Sequence, residues 1–445
     1  LSALCVSLGF AETVTIDQAV ALSVEKYPAV RASIEQVSAA AAGVQLARTS
    51  FLPKADFLSQ VNRATRNNVF GMLLPQSTLP AISGPPRPEN SFTNVWGTAV
   101  GILVSWEPFD FGLRQANVNT ADVARRRAEL GVARTKLEVS TAAADAFLTI
   151  LAAEQTAVAA RAAIERGRTI ETAVGALVKA ELRPGADGER IRAEIALAET
   201  QLIQSEQAVN VAKAALGTLL DMAPGQMQAV AGRLLEAPPE DAPAAANLQE
   251  HPAAREQSVA VDEVKTRQAA LNKSYYPKFL MQGASYARGT GAFPDGTTGG
   301  AASGLGPNIH NWGVGFTMTF SALDIASIRA KKEIEVHKER GEQARYEQTL
   351  RDLNGRVERA RAMLEGARRA LKQVPVQLQA ARAVEQQVTA RYKAGLGTIV
   401  EVAEAQRLLA QADVDNALAR LSVWRGLLAV AAAQGTIEEF VAKAR

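Results

Sequence analysis

Two short segments of the chain alternate between apolar and polar positions. The later segment has small or polar residues on one face and large apolar residues on the other, namely Trp312, Val314, Phe316, Met318 and Phe320. The earlier segment repeats this pattern with one exception, and its apolar face holds Val100, Ile102, Val104 and Trp106. A period of two predicts β-strands, here about nine to eleven residues long. The alternation is expected both for a strand between lipid and water and for a strand of a soluble β-sandwich. The length of the strands and the aromatic residues near their ends favour lipid.

Two much longer segments predict helices. Residues 113–182 and 328–392 are rich in helix-forming residues, and each is followed by a turn and a second helical stretch, 188–220 and 398–433. At about 1.5 Å per residue, a helix of about 70 residues reaches about 100 Å. We expect such helices to pack side by side as coiled coils, with a possible bend at Pro375. An ordinary soluble helical bundle is the alternative.

These elements occur twice along the chain. Tyr27-Pro28-Ala29 recurs as His251-Pro252-Ala253, a shift of 224 residues (from 28 to 252), and Asp110 recurs as Asp324, a shift of 214 residues. Because ten residues are lost between Pro277 and Asp324, we expect an adjustable loop there and a hairpin of fixed length after it. The expected divisions are a residual signal peptide (1–11), a first structural repeat (12–224), a linker (225–247), a second repeat (248–435) and a C-terminal tail (436–445).

The first eleven residues form an apolar run that ends at Ala11. This pattern is typical of the end of a signal peptide, with a buried N-terminal strand as the alternative. The single cysteine, Cys5, lies in this run, and the bulky Leu4 before it disfavours a lipid anchor. No later run is expected to reach the roughly 18 to 20 apolar residues of a transmembrane helix. An exported membrane protein of this sequence must therefore cross the bilayer with strands.

Charge and candidate chemistry exclude several other functions. The 49 basic and 46 acidic residues are interspersed, which gives no nucleic-acid footprint. An enzyme hypothesis would rest on Glu401 and Glu404 as an acid/base pair. It has little further support, because the three histidines lack metal-ligand spacing and no phosphate-binding loop is present. We expect no cofactor and no metal, and we expect His251, which matches Tyr27 in the first repeat, to serve in packing.

Four strands per chain are too few to close a barrel. Besides the two alternating strands, we expect one strand after Pro53 and one after Pro277. Their apolar and polar residues do not alternate clearly, so the sequence does not show which face of each strand is apolar. An open sheet edge in lipid leaves unpaired backbone groups that cost several kcal/mol each. The chain must therefore oligomerise if it spans a membrane. Physical reasoning alone permits eight strands from two copies or twelve from three.

The order of helix, strand pair and long helical hairpin, present twice, resembles the TolC-like outer-membrane efflux proteins over about residues 15–435. The most specific local match runs from Tyr392-Lys393-Ala394-Gly395-Leu396 to Glu404-Ala405-Gln406. The resemblance implies an α/β membrane protein in the outer membrane of a Gram-negative bacterium. It implies a homotrimer with a twelve-stranded transmembrane β-barrel, four strands per protomer, continued by a long α-helical coiled-coil tunnel in the periplasm.

The function implied by the resemblance is that of an exit channel in a tripartite efflux or type I secretion system. Such a channel passively conducts substrates that reach it from an inner-membrane pump, such as a resistance-nodulation-division or ABC transporter, through a periplasmic adaptor protein. Its expected partners also include outer-membrane lipid. A soluble or envelope coiled-coil scaffold without transport activity is the main alternative, and a channel outside efflux is another.

The resemblance also assigns two helix-to-helix turns as tips that dock the adaptor. Carried over by position, the tip residues are Lys179, Glu181, Leu182, Arg183 and Pro184 in the first turn and Gly395, Leu396, Gly397 and Thr398 in the second. The glycines suit a tight turn, which needs a positive φ. A turn without any partner is chemically just as reasonable.

A gate beside the tips is the last feature that the resemblance implies, formed by Glu401, Glu404, Asp187 and Tyr392. Glu401 and Glu404 share one helix face. Threefold symmetry would gather these carboxylates around the tunnel, raise their pKa values and favour cations. A solvated helix face is the alternative. In some family members an arginine at the position of Gly397 ties the closed gate to an aspartate that matches Asp187. We expect this ion pair to be missing here and the closed state to rest on Tyr392, Asp187 and helix packing.

Overall fold

The computed structural model describes residues 12–74, 77–79, 84–240, 245–321 and 323–445. The predicted signal peptide, with Cys5, lies outside these residues. The elements follow one another as β1 (Glu12–Val14), α1 (Ile16–Lys26), α2 (Pro28–Thr49), β2 (Lys54–Thr65), β3 (Asn94–Trp106), α3 (Leu113–Lys179), α4 (Gly185–Leu220), β4 (Met227–Ala229), α5 (Pro252–Lys273), β5 (Lys278–Thr290), β6 (Ile309–Thr319), α6 (Asp324–Lys393), α7 (Ile399–Gln434) and α8 (Ile437–Ala444).

The elements of the first half recur in the second half. Helices α2 and α5 both have 22 residues, and α4 and α7 both have 36. The long helices α3 and α6 have 67 and 70 residues, and α6 continues through Pro375. Each half therefore contains one strand pair followed by one long helical hairpin.

The chain forms two compact units, and each draws on both sequence halves. The helical unit holds the described residues of 1–38, 126–259 and 342–445, and the sheet unit holds those of 39–125 and 260–341. The boundaries of the sequence repeats are therefore not the boundaries of the compact units.

The core of the helical unit is built around large apolar side chains of several helices. Phe147 of α3, Leu216 of α4 and Trp424 of α7 are almost completely buried. Phe440 packs against Trp424 with ring centroids 6.2 Å apart, so the segment expected to be a tail ends in a packed helix, α8. The expected linker also contributes structure, because its strand β4 pairs with β1 in parallel.

His251 is buried in the helical unit, in agreement with the expected packing role. Its Nδ1 accepts a hydrogen bond from the backbone N–H of Ala253 at 3.2 Å, and its Nε2 lies 3.4 Å from the carbonyl oxygen of Ala432. Burial lowers the pKa of the imidazole below its usual value. The neutral ring therefore ties the start of α5 to the end of α7.

Helix α3 corrects one expectation from the sequence. Among the helices in the described ranges, it is long and apolar enough, by length and composition, to cross a membrane. Its most apolar window has a mean hydropathy of 1.3, yet 44% of that window is buried within the protein. Core helices of water-soluble proteins meet the same criterion, so this property does not assign α3 to a bilayer.

The sheet unit contains a four-stranded antiparallel sheet in the order β2-β3-β5-β6. Each half contributes one hairpin, and β3 pairs with β5 across the two halves, with Ile102 opposite Ser285. Strands β2 and β6 are the outer strands of this sheet. Each therefore has one edge that is not paired with any other strand in the described part of the protomer.

The strand register assigns every side chain to one of two faces, because directly opposed residues point to the same side. Phe57 of β2 lies opposite Ile102 of β3, and Met281 of β5 lies opposite both Trp106 of β3 and Phe316 of β6. This apolar face carries Phe57, Val61, Val100, Ile102, Val104, Trp106, Phe279, Met281, Trp312, Val314, Phe316 and Met318. The facing of β2 and β5, which the sequence pattern left unassigned, is thereby settled.

Most of this apolar face is exposed in the protomer. Trp312 and Phe57 expose 77% and 73% of their surface. Of the residues predicted to face lipid, Val100 is half-buried and the others are exposed, including Phe320 just beyond β6. A contiguous exposed apolar surface of this kind marks a membrane or protein contact.

Aromatic rings gather at the end of the sheet where β3 finishes and β5 begins. Phe111 packs edge-on against Phe109 at 4.7 Å between centroids and stacks on Tyr276 at 4.8 Å. Phe279 stacks on Phe316 at 5.7 Å. Aromatic residues at the end of a strand band are typical of the girdle at a membrane interface.

Candidate functional site

The two helix-to-helix turns of the helical unit share one hydrogen-bond pattern. In the first turn the N–H of Leu182 donates to the carbonyl of Leu177, and the N–H of Glu181 donates to Val178. In the second turn the N–H of Leu396 donates to Arg391, and the N–H of Gly395 donates to Tyr392. This pair of bonds is the Schellman motif, which ends a helix and reverses the chain.

The left-handed residue of this motif differs between the two turns. Gly395 has φ of +80°, and Glu181, at the matching position, has φ of +59°. A glycine adopts this conformation freely, whereas a residue with a Cβ pays about 1 kcal/mol or more. The first turn therefore carries backbone strain that the second turn lacks.

The residues predicted to dock an adaptor lie on the surface of these turns. Leu182 is 69% exposed and Leu396 is 71% exposed, at matching positions of the two motifs. Lys179, Glu181, Pro184, Gly395 and Thr398 are also exposed, and Arg183 and Gly397 are half-buried. Each of the two hairpin turns therefore presents one solvent-exposed leucine.

Tyr392 joins the two turns from the inside. Its side chain is only 2% exposed and packs with apolar residues of α3, α4 and α7, including Ile191, Ile399 and Val402. Its hydroxyl donates a hydrogen bond of 2.7 Å to Oδ2 of Asp187 in the first turn of α4. Two of the four predicted gate residues are therefore in direct contact within one protomer.

Arg183 holds the same tyrosine from the other side. Its guanidinium lies 4.4 Å from the centre of the Tyr392 ring, and its Nη2 donates to the Tyr392 carbonyl oxygen at 2.8 Å. Cation–π contact of this kind is attractive by about 0.5–2 kcal/mol. The sequence assigned Arg183 to adaptor docking. The structure shows that Arg183 contacts Tyr392 through both its ring and its carbonyl oxygen.

These surroundings change the acidity of Tyr392. Burial disfavours the phenolate, and the hydrogen bond to the Asp187 carboxylate stabilises the protonated form, so the pKa of Tyr392 rises to about 12. The hydroxyl therefore remains a hydrogen-bond donor throughout the physiological pH range. The link between Tyr392 and Asp187 is stable over that range.

The other two predicted gate residues lie at the start of α7. Glu401 caps this helix: its N–H donates to Oγ1 of Thr398, and its carboxylate accepts from the N–H of Thr398. Glu404 follows three residues later, and both carboxylates are exposed on the protomer. The described residues contain no cluster of His, Cys, Asp and Glu arranged as a metal site. The protomer therefore brings Glu401 and Glu404 to one helix face, with both side chains exposed.

One ionic contact of the helical unit was not anticipated from the sequence. Asp413 of α7 lies 2.9 Å from Arg166 of α3 and 3.5 Å from Arg382 of α6. Its carboxylate therefore bridges three helices of the same unit. No local sequence pattern indicates the contact with Arg166, because Arg166 and Asp413 are 247 positions apart along the chain.

Solved structures of outer-membrane channels share this fold. The chain is 13% identical to CusC, with a TM-score of 0.78 over 94% of this chain and 91% of that one. It is 13% identical to VceC of Vibrio cholerae, with a TM-score of 0.74 over 94% and 96%. It is 14% identical to CmeC of Campylobacter jejuni, with a TM-score of 0.72 over 97% and 89%. No curated protein sequence matches the chain.

The sequence profile described as outer membrane efflux protein matches residues 20–221 and 246–436. These ranges cover both structural repeats and most of the chain. The family is one of channels rather than enzymes. This match and the shared fold show that the chain belongs to the outer membrane efflux protein family and is an exit channel of the outer membrane.

Proposed function

We propose that three copies of this chain form the channel, with one twelve-stranded β-barrel built from four strands of each protomer. The supporting observation is the sheet, which has an exposed apolar face and two open edges, β2 and β6. Neighbouring strands alternate in direction, so β6 of one copy runs antiparallel to β2 of the next. In the bilayer core the backbone groups of both edge strands need hydrogen-bond partners, so both edges must be paired with other strands. Three copies, as in the family resemblance, meet this requirement.

The long helical hairpins form the periplasmic tunnel of this trimer, and conduction through it is passive. Energy is supplied by an inner-membrane pump of the resistance-nodulation-division or ABC class, and a periplasmic adaptor joins the pump to the tips. The structural repeats run from 12 to 224 and from 248 to 435. Their shared helix lengths support these boundaries.

The adaptor docks on the two exposed leucines. The double variant Leu182→Ser plus Leu396→Ser loses this apolar contact. We expect the amount of adaptor protein that is recovered with the channel after chemical cross-linking to fall at least severalfold. The matched control is Leu46→Ser, which changes a leucine of α2 that is equally exposed, at 72%. Equal recovery of the adaptor from the double variant and the control would contradict this docking site.

Glu401 and Glu404 form the charged ring of the gate. The test is single-channel recording of the purified trimer in a planar bilayer, with wild type compared with Glu401→Gln plus Glu404→Gln. Glutamine keeps the cap of α7, because it also serves in a capping box, and removes only the charge. We expect a cation-preferring pore whose preference falls in the double variant and persists in the control Glu347→Gln, which changes an exposed glutamate of α6.

The outcomes of this recording separate the channel from its gate. A pore with unchanged ion preference in the double variant would keep the channel and reject the carboxylate ring. Absence of any pore from folded, membrane-extracted protein would reject the proposed trimeric channel. The soluble scaffold, which requires protein rather than lipid over the apolar face, would then explain the fold.

A further inference from the structure

Part of the segment between β2 and β3 lies against the polar face of the sheet. We call its described residues 70–74 and 77–79 the inner loop. Its carbonyl oxygens accept hydrogen bonds from side chains of that face: Arg288 and Thr290 donate to Phe70 at 3.0 and 2.9 Å. Arg288 also donates to Gly71 at 3.2 Å. These contacts hold the inner loop on the side of the sheet opposite the exposed apolar face.

The contacts continue down the strands. Asn62 donates to the carbonyl of Met72 at 2.7 Å, and Gln60 donates to the carbonyl of Leu74 at 3.2 Å. A Cδ atom of Leu79 reaches Gly101, which pairs with Leu58. Leu58 lies seven positions below the end of β2 at Thr65, or about 24 Å at about 3.4 Å per residue. The inner loop therefore extends more than half the length of β2.

The polar face of β3 is built to accept this loop. Gly97, Ala99 and Gly101 alternate along that face, and Ala99 is fully buried. A Cβ atom on Gly101 would lie 2.9 Å from Cδ2 of Leu79 and 2.5 Å from Cβ of Tyr286, which is too close for any side chain. The small residues let the loop backbone approach the sheet closely.

The position of the loop has a geometric consequence that rests on the proposed trimer. Twelve strands spaced about 4.8 Å apart and tilted about 40° give a barrel with a backbone radius of about 12 Å. The carbonyl oxygen of Met72 would lie only 3.5 Å from a Cβ atom on Gly97, so the loop backbone packs directly on the sheet. Since the polar face lines the lumen, three inner loops and the side chains that they carry would narrow the lumen at this level.

We propose that the inner loops of the three protomers form a second constriction of the channel, inside the barrel and separate from the helical tips. Its wall is apolar, because Phe70, Met72 and Leu74 remain exposed after the loop has packed on the sheet, Leu74 to 50%. A narrow apolar wall favours the passage of apolar solutes over strongly hydrated ions of the same size. The inner loop is therefore a specificity-determining element of the channel.

The test places a cysteine on the loop in the full-length trimer. Leu74→Cys, in a chain that also carries Cys5→Ser, is treated with a short bismaleimide and separately with a negatively charged methanethiosulfonate. We expect covalent dimers of protomers with the first reagent and at least a twofold loss of single-channel current with the second. The control is Leu305→Cys, because the loop that contains Leu305 lies on the other face, where Thr98 donates to the carbonyl of Gly304.

Each result is decisive. Cross-linking and current loss at position 74, without either at position 305, would support the constriction. Trimers that conduct normally but show neither effect at position 74 would overturn it and leave the channel intact. A wild-type protein that forms neither trimers nor pores would overturn the proposed function, and the constriction with it.

Discussion

Replacing Phe316 by arginine is expected to reduce the amount of protein that is stably inserted into the outer membrane. Phe316 lies on the exposed apolar face of β6, three positions before the end of that strand at Thr319. An arginine on the lipid face of a barrel costs about 2–4 kcal/mol at the bilayer midplane and less toward the interfaces. A trimer carries the substitution three times, and it also loses the stacking of Phe279 on Phe316.

The matched control for this variant is Thr317→Arg. Thr317 is the next residue of the same strand, at nearly the same depth, and its side chain points to the polar face. Arginine there is expected to be tolerated. The measurement is the amount of SDS-resistant trimer in the outer-membrane fraction. Equal amounts of trimer for the two variants would show that the apolar face does not contact lipid.

In the proposed gate, Tyr392→Phe is expected to favour the open state and to raise the single-channel conductance severalfold. The variant removes only the hydroxyl that donates to Asp187 and keeps the ring beneath the Arg183 guanidinium. A hydrogen bond to a charged acceptor contributes about 1.5–3 kcal/mol, which corresponds to about tenfold or more in the ratio of closed to open tips. Tyr346→Phe, at another tyrosine of α6, should leave the conductance unchanged.

The same contact predicts a dependence on alkaline pH. Because the pKa of Tyr392 is raised to about 12, the stability that this group contributes is fully present below pH 10, the ordinary pKa of tyrosine. It is lost as the pH rises toward 12, where a phenolate would face the Asp187 carboxylate. Wild-type conductance should therefore increase over this interval, and the conductance of Tyr392→Phe should not. An equal increase in the conductance of both proteins would show that ionisation of Tyr392 does not cause the change.

The period of the apolar positions and the internal repeat of the sequence were sufficient to predict the main helices and strands. The strict alternation at Trp312, Val314 and Phe316 indicated a strand with one apolar face, and the second copy of each motif fixed the order of the elements. The facing of β2 and β5 could not be predicted, because Ser59 interrupts the apolar positions of one strand and Gly283 those of the other. The register with β3 and β6 supplied it.

The candidate site was predicted less completely. The pattern Thr398-x-x-Glu401 is a capping box and could have indicated that Glu401 serves the helix as well as the proposed gate. The contact between Arg183 and Tyr392 joins residues 209 positions apart, and no local pattern indicates it. The left-handed Glu181 was equally hidden, because only its alignment with Gly395 suggests a positive φ.

The two open edges of the sheet have a consequence for biogenesis. A newly exported protomer presents unpaired backbone groups along β2 and β6 and an uncovered apolar face between them. Such edges are templates for pairing with any exposed strand, and such a face favours aggregation. In the proposed trimer, the pairing of these edges and the covering of this face by lipid both depend on assembly. Trimerisation and membrane insertion are therefore expected to occur together.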